Sequence, residues 1–393
     1  MGSYYELSVA NFVMDVGKAY LPGYVFIPFR REDRVSPVYP NEEAPHVYRS
    51  NASTIARRLD LLGFSLPSAR RAYEWGISRL QEWEREKWPK QLIQPGGFAA
   101  WVEAMRVAVD FARRLDHISP TDIDDERLQF MLAWEEHMFG FPSGEPLLVL
   151  RTILAAASND DEVELDFDDL VTDGYVHEPD TLWEAEEHQP LIVVTEGKFD
   201  SRVLRDTVDL LMPELRSFVS FIDFETANAK GGTDELVQFV RMFIGCGIRN
   251  RVAVVFDNDA AGHDALQRLL QARLPSHVFA MTLPQIEHAR SYPTLGPEGA
   301  SVGDINGRAC SIELYLGRDT LLADDGGLFP VRWTGYNEKT ERYQGQINNK
   351  GLIQKRFEEK LRLVQSRTRT VDEFDFSGLN AIFESIFNAV ASR

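Results

Sequence analysis

The sequence predicts an α/β protein: a parallel sheet flanked by helices, with a mainly helical domain before it and a small α+β or helical extension after it. From Leu191 onward, short apolar runs alternate with amphipathic helices, and this order requires a parallel sheet with right-handed crossovers. The runs Leu191 to Val194 and Val252 to Phe256 are apolar throughout, as in parallel strands buried on both faces. A chain of 393 residues also exceeds the usual size of a single core, so we expect several domains.

Four segments follow from the pattern: residues 1–158 as the mainly helical domain, 159–190 as an acidic edge strand and connector, 191–325 as the sheet domain, and 326–393 as a basic C-terminal extension that completes the site. The first segment opens with the strand-like MGSYYELSVANFVM and then shows helical periodicity at Leu66 to Trp88, Gly96 to Asp116, Glu126 to Met138 and Pro146 to Ala157. In the second, Val163, Leu165 and Phe167 alternate with carboxylates. Residues 284–307 are expected to form a loop, and Leu352 to Val364 and Leu379 to Val390 to form helices.

Composition excludes several classes of protein. No apolar run approaches the ~20 residues of a membrane span, and the N-terminus lacks the pattern of a signal peptide, so we expect no membrane partner and a cytoplasmic location. Two cysteines, Cys246 and Cys310, exclude a disulfide framework and a multi-thiolate zinc site, and we expect both to be buried.

The net charge of −19 argues at first against a nucleic-acid partner, but its distribution is uneven. Thirteen Asp or Glu and no Lys or Arg lie between Thr152 and Pro190, whereas ten Lys or Arg and four Glu lie between Arg332 and Arg369. The second segment is compatible with a nucleic-acid-binding patch and equally with a solvated helix face. Asp166 and Asp168 fit a solvated acidic face better than a metal site.

Carboxylates follow both buried runs: Glu196 and Asp200 after the first, Asp257 and Asp259 after the second. Open α/β sheets place their ligands at the carboxyl ends of the strands, and four acids there would repel one another unless cations neutralised them. Oxygen ligands select Mg²⁺ or Mn²⁺. The alternative is that Asp257-Asn258-Asp259 is a turn that caps the next helix, which would explain one Asp but not all four acids.

Glu196-Gly197 after one strand and Asp257-x-Asp259-x-x-Gly262 after a later one resemble the Toprim domain of primases, topoisomerases and certain nucleases. Within that superfamily the chain is most similar to nucleases of the overcoming-lysogenization-defect (OLD) family. Their second acid is matched by Asp200, their Ser-x-Glu by Ser311-Ile312-Glu313, and their later Lys by Lys350. The opening MGSYYEL and the segment PFRREDR further resemble HEPN/Toprim-associated proteins.

The resemblance implies a Toprim-like sheet and a metal-dependent nuclease, with DNA as the favoured substrate and a role in bacterial anti-phage defence. Two Mg²⁺ or Mn²⁺ ions would be held by Glu196, Asp200, Asp257, Asp259, Ser311 (through a metal water) and Glu313. Glu196, Asp257, Asp259 and Lys350 would be catalytic, with Lys350 stabilising charge on the phosphate, and no other cofactor is implied. Arg342, Lys355 and Arg356 in the basic segment are the expected nucleic-acid-binding residues.

Two alternatives stay open: an effector that cleaves tRNA or other RNA, and a non-catalytic Toprim module that binds nucleic acid or a partner protein. OLD-family proteins carry an ATPase domain, but no GxxxxGK[S/T] occurs in this chain, so any ATPase partner must act in trans. A homo-oligomer is compatible with the sequence.

The run from Arg113 to His117 also invites comparison with HEPN ribonucleases, which need four to six residues between their Arg and His. Here Arg113 has three and Arg114 has two. We therefore expect a basic helix end at this position and not a second active site.

Overall fold

The computed structural model describes residues 2–37, 39, 44–114, 124–177, 190–222 and 231–392. The chain divides into two compact units, Met1–Gln189 with Val390–Arg393, and Pro190–Ala389. Three predicted features lie outside the described residues: His117, the connector from residue 178 to 189, and the end of the strand predicted to reach Phe224. In the part of the chain that the structure describes, no helix combines the length and apolar character needed to cross a membrane.

The first unit combines helices with a four-stranded antiparallel sheet in the order β2-β1-β4-β3. Its strands are β1 (Tyr4–Val9), β2 (Phe12–Lys18), β3 (Val47–Asn51) and β4 (Glu162–Asp166). Its helices are α1 (Ala52–Leu62), α2 (Leu66–Arg79), α3 (Glu82–Arg85), α4 (Lys90–Ile93), α5 (Gly97–Arg113), α6 (Glu126–Ala133), α7 (Pro146–Ala156) and α8 (Asp168–Thr172). The four helices that periodicity predicted are present, although the first is divided between α2 and α3.

The N-terminal run forms a hairpin of two strands and not the single strand predicted. Ala10 and Asn11 both have positive φ, 50° and 64°, which is the geometry of a two-residue hairpin turn. The predicted edge position of β4 is also wrong, because β4 pairs with β1 on one side and β3 on the other. Its apolar side chains, Val163 and Leu165, are fully buried in the core of the unit.

The PFRREDR segment has a structural role inside the first unit. Arg58 of α1 is only 1% exposed. Its guanidinium forms a two-pronged ion pair with Asp33, in which Nη2 lies 3.2 Å from Oδ1, and also donates to the carbonyl oxygen of Pro28 at 2.9 Å. The backbone N–H of Arg30 donates to Asp33 at 2.7 Å. Asp33 therefore compensates the buried positive charge of Arg58.

The second unit contains a parallel sheet in the order β6-β5-β7-β9, which confirms the predicted α/β class. Its strands are β5 (Leu191–Thr195), β6 (Val219–Phe221), β7 (Val252–Phe256), β8 (Asn258–Asp259), β9 (Val278–Thr282), β10 (Tyr292–Gly296), β11 (Gly299–Gly303), β12 (Ala309–Cys310), β13 (Val331–Asn337) and β14 (Arg342–Ile347). Its helices are α9 (Lys198–Leu211), α10 (Thr233–Gly245), α11 (Ala260–Leu270), α12 (Arg318–Leu321), α13 (Lys350–Gln365) and α14 (Ser377–Ala391).

Two smaller sheets extend this unit beyond the parallel one. Residues 284–307, expected to be a loop, contain the β10–β11 hairpin, and the sheet continues through β13 to β14 in the order β11-β10-β13-β14. The short strands β8 and β12 form an antiparallel pair. Cys310 of β12 is buried as expected, whereas Cys246 is exposed, so the second expectation is wrong.

Candidate metal centre

Two acids sit at the carboxyl ends of adjacent strands. Glu196 directly follows β5 and Asp257 directly follows β7, and these strands pair in parallel, so both residues lie at the same edge of the sheet. The Glu196 carboxylate accepts a hydrogen bond from the backbone N–H of Asp257 at 2.9 Å. Asp200 lies in the first turn of α9. The strand-end motifs of the sequence therefore meet, as the fold class requires.

Asp259 belongs to the same group of acids, called the cluster below, and also has a structural role. It is the N-cap of α11, and its Oδ1 accepts from the backbone N–H of Gly262 at 2.7 Å. Gly262 is required there, because a Cβ would lie 2.1 Å from the carbonyl oxygen of Asp257. The capping interpretation is thus right for Asp259. Asp257 makes no such cap in the described structure, so capping does not explain the pair.

Glu313 reaches the cluster through the small β8–β12 ladder. Ala309 pairs with Asp259 and Cys310 with Asn258, which brings the following turn of 3-10 helix, Ile312–Tyr315, beside the strand ends. The Glu313 side chain is fully buried. A buried carboxylate requires hydrogen bonds or a counter-charge, and Glu313 has both.

Lys350 supplies that counter-charge. It is the first residue of α13, and its Nζ lies 3.1 Å from Oε1 of Glu313. Burial acts to lower the pKa of Lys350, but the negative charges of Glu313, Asp257 and Asp200 outweigh it and raise the pKa above its usual value. The ammonium therefore stays charged, and it faces the predicted acids.

Sequence reasoning missed a layer of side chains that orient these acids. Thr233 donates to Oε2 of Glu196 at 3.1 Å, Gln344 to Oδ2 of Asp259 at 2.7 Å, and Gln354 to Oε1 of Glu313 at 2.8 Å. Ser311 donates to Oε2 of Glu313 at 2.6 Å, and its role in orienting a metal water stays a prediction. Single Thr and Gln residues carry no motif, so no local signal marks them.

Burial and mutual repulsion raise the pKa values of Glu196, Asp200 and Asp257. Burial and the charge of Asp259 raise the pKa of Glu196 to about 7, and burial and the charge of Glu313 raise that of Asp200 to about 6. The pKa of Asp257 lies well above its usual value, because of burial and repulsion from Asp200, Glu196, Asp259 and Glu313. All five carboxylates therefore interact electrostatically, and perturbed acids of this kind are common at functional sites.

The donor set fits Mg²⁺ or Mn²⁺, which prefer oxygen ligands. Among the described residues, none donates a hydrogen bond to the carboxylate of Asp257. Within the same residues, however, no three His, Cys, Asp or Glu side chains are arranged to hold an ion as they stand. Glu196, Asp259 and Glu313 accept hydrogen bonds from Thr233, Gln344 and Gln354. Since a carboxylate has about four acceptor positions, these bonds leave lone pairs available to a cation.

The predicted nucleic-acid-binding residues have different surroundings. Arg342 donates to the carbonyl oxygen of Gly307 at 3.1 Å, and Lys355 is exposed on α13. Arg356 donates to the carbonyl oxygen of Leu322 and lies over the ring of Phe329 at 5.3 Å. Their binding role stays a prediction.

The basic segment exposes less free positive charge than its count of Lys and Arg indicates, because several of these side chains are buried or paired. Lys360 is 3% exposed, and its ammonium donates to the carbonyl oxygens of Leu316, at 2.9 Å, and Asp375. Arg362 and Arg369 pair with nearby glutamates of the same segment. Lys360 is thus a structural residue. In the first unit, likewise, Arg113 is committed to ion pairs with Asp110 and Asp161.

The raised pKa of Glu196 has a testable consequence for stability. Its unfolded pKa is about 4.3, so its contribution to stability is full below about pH 4 and is lost as the pH rises through about 7. We expect Glu196→Gln, measured without metal by thermal unfolding, to become more stable relative to wild type as the pH rises from 5 to 8. A difference in Tm that does not change with pH would contradict this assignment.

Comparison with known proteins bears on the first unit. Residues 1–189 match the family model described as HEPN/Toprim N-terminal domain 1. No curated protein and no solved structure matches the chain. The matched region contains the MGSYYEL and PFRREDR segments and ends just before the strand that leads to Glu196. The first 189 residues are thus similar to the N-terminal domain of HEPN/Toprim proteins.

Proposed function

We propose that the second unit is a divalent-metal-dependent nuclease that hydrolyses phosphodiester bonds, with DNA as the favoured substrate. The observation that carries this proposal is the meeting of five carboxylates and one lysine at the carboxyl edge of β5 and β7. The Toprim and OLD-family resemblance of the motifs supports it, as does the association of the first unit with HEPN/Toprim proteins.

Each residue of the cluster has a role in this proposal. Glu196, Asp200, Asp257, Asp259 and Glu313 would hold two Mg²⁺ or Mn²⁺ ions, which when bound would activate water and stabilise charge on the leaving oxygen. Lys350 places a fixed positive charge for the phosphate oxygens. Ser311 and Gln354 keep Glu313 turned toward the cluster through their hydrogen bonds.

The resemblance also supports a wider role. We propose that the protein acts in bacterial anti-phage defence in the cytoplasm, and that any ATPase serving it is a separate chain. A role in defence would be supported by a loss of protection against phage when Lys350 is replaced. A separate ATPase would be supported by a gene for such a protein beside this one.

Lys350 allows a direct test of the nuclease. Plasmid, single-stranded DNA and tRNA are incubated with the full-length protein in Mn²⁺, with and without chelator. We expect chelator-sensitive cleavage that falls about 10²-fold in Lys350→Met, because a preorganised charge at the phosphate is lost. Lys350→Arg, which keeps the charge, should retain more activity than Lys350→Met.

Lys355→Met is the matched control, since it removes the same charge from an exposed position of the same helix. It should leave kcat unchanged and weaken only substrate binding, with a smaller salt dependence. The absence of metal-dependent cleavage on every substrate would reject the nuclease. It would favour the non-catalytic module, consistent with the observation that no three donors of the described residues already form an ion site. Cleavage of tRNA alone would identify the RNA-cleaving alternative.

A further inference from the structure

The β13–β14 hairpin exposes two aromatic rings beside the candidate metal centre. Tyr336 is 52% and Tyr343 57% exposed. They lie opposite each other in the strand register, with ring centroids 5.2 Å apart. Trp333 lies 6.0 Å from Tyr343 on the same hairpin. A cluster of exposed large rings is costly in water and is typical of a binding surface.

Two arginines share a concavity with these tyrosines. Arg308, Arg342, Tyr336, Tyr343 and Glu341 line a cavity of about 450 Å³, which lies in the range of ligand pockets, roughly 300–1,000 Å³. Two guanidinium groups against one carboxylate leave a net positive lining, although the whole chain carries −19. Arg342 is held in place by its bond to the carbonyl oxygen of Gly307. The lining therefore fits an anion that also carries a flat aromatic group.

The pocket is joined to the acids through β14. Gln344, two residues from Arg342, donates to Asp259 at 2.7 Å and accepts from the backbone N–H of Ala261 at 3.2 Å. Two residues along a strand span roughly 7 Å. On the other side, the N–H of Gly307 donates to the side chain of Asn258, the residue before Asp259, at 2.9 Å. Strand β14 and the loop at Gly307 thus connect the pocket to the carboxylates through hydrogen bonds.

We propose that this pocket binds an unpaired nucleotide next to the scissile phosphate, so that the preferred substrate is single-stranded nucleic acid. Arg308 and Arg342 contact the phosphate, and the base stacks on Tyr336 and Tyr343. A base is free to stack on a side chain only when it has left the duplex. The assignment of the scissile phosphate rests on the proposed nuclease; the single-strand binding does not.

The test measures binding of the full-length protein to a labelled single strand of DNA, its duplex and the same strand as RNA, by fluorescence anisotropy with chelator present. We expect at least one single strand to bind about tenfold more tightly than the duplex. Tyr336→Ala/Tyr343→Ala should weaken single-strand binding about tenfold or more and leave duplex binding unchanged. Tyr336→Phe/Tyr343→Phe, which keeps both rings, should bind as wild type does.

Equal affinity for single strand and duplex would overturn the proposal, and so would wild-type affinity in the double alanine variant. A loss as large in the double phenylalanine variant would replace stacking with hydrogen bonding by the hydroxyl groups and also overturn it. The increase in Tm caused by Mn²⁺ should survive in both variants, which checks that they are folded. The binding test measures no cleavage, so its result is independent of the nuclease test. Single-strand binding by a protein that shows no nuclease activity in that other test rejects the proposed function alone. Cleavage without strand preference rejects the pocket alone. A preference between DNA and RNA strands names the substrate.

Discussion

Replacing Asp257 with asparagine is expected to abolish metal-dependent cleavage, by about 10³-fold or more, and at the same time to stabilise the metal-free protein. Activity falls because Asp257 is the carboxylate at the centre of the cluster, where a cation would need its charge. Stability rises at pH 8 because the charge of Asp257 is repelled by Asp200, Glu196, Asp259 and Glu313. The two effects therefore have opposite signs.

The opposite signs make the experiment informative. A variant that simply misfolds loses both activity and Tm, so a higher Tm together with lost cleavage requires that the site itself is changed. Cleavage rates in Mn²⁺ and thermal unfolding with chelator at pH 8 give the two values. Glu287→Gln removes an acid from an exposed position of the same unit and should change neither. Unchanged cleavage by Asp257→Asn would exclude Asp257 from the chemistry.

Replacing Asp33 with alanine is expected to destabilise the first unit by about 3–5 kcal/mol, because it removes the carboxylate that pairs with the buried charge of Arg58. The backbone N–H of Arg30 loses its acceptor as well. Denaturant unfolding of the full-length protein, followed by tryptophan fluorescence, measures the loss.

Glu32→Ala is the matched control, since Glu32 precedes Asp33 in the same short helix and is exposed. It should cost no more than about 0.5 kcal/mol. The double variant Asp33→Ala/Arg58→Met removes both charges and should recover part of the stability, because a buried pair replaced by apolar groups is often close to neutral. A single variant as stable as Glu32→Ala would show that Asp33 does not support Arg58.

Local patterns predicted the elements that carry the acids. The runs Leu191 to Val194 and Val252 to Phe256, which precede the acids, are apolar throughout, so their burial in a parallel sheet and the place of the acids at its edge follow from local sequence. Four helical segments of the first unit were equally visible in their periodicity, whereas α1, α4 and α8 were not predicted. The residues that sit at strand ends and helix starts are thus the part of the site that sequence reasoning can find.

Strand order and long-range contacts were not predictable in the same way. The alternation in β4 shows a strand with one buried face, but it does not show whether a neighbour pairs on one side or two. Gln344 and Gln354 act on acids 85 and 41 residues away in the chain. Lys360 has the composition of a surface residue and is buried because two carbonyl oxygens and an aspartate surround its ammonium.

The β8–β12 ladder and the start of α13 also determine when, during synthesis, the candidate site becomes complete. A nascent chain that has emerged as far as residue 325 contains the whole parallel sheet and all five carboxylates, but neither Lys350 nor the glutamines that orient Asp259 and Glu313. The site is complete only once residue 354 of 393 has left the ribosome. Under the proposed activity, a translation product interrupted before Lys350 should cleave about 10²-fold more slowly than the full chain, as predicted for Lys350→Met.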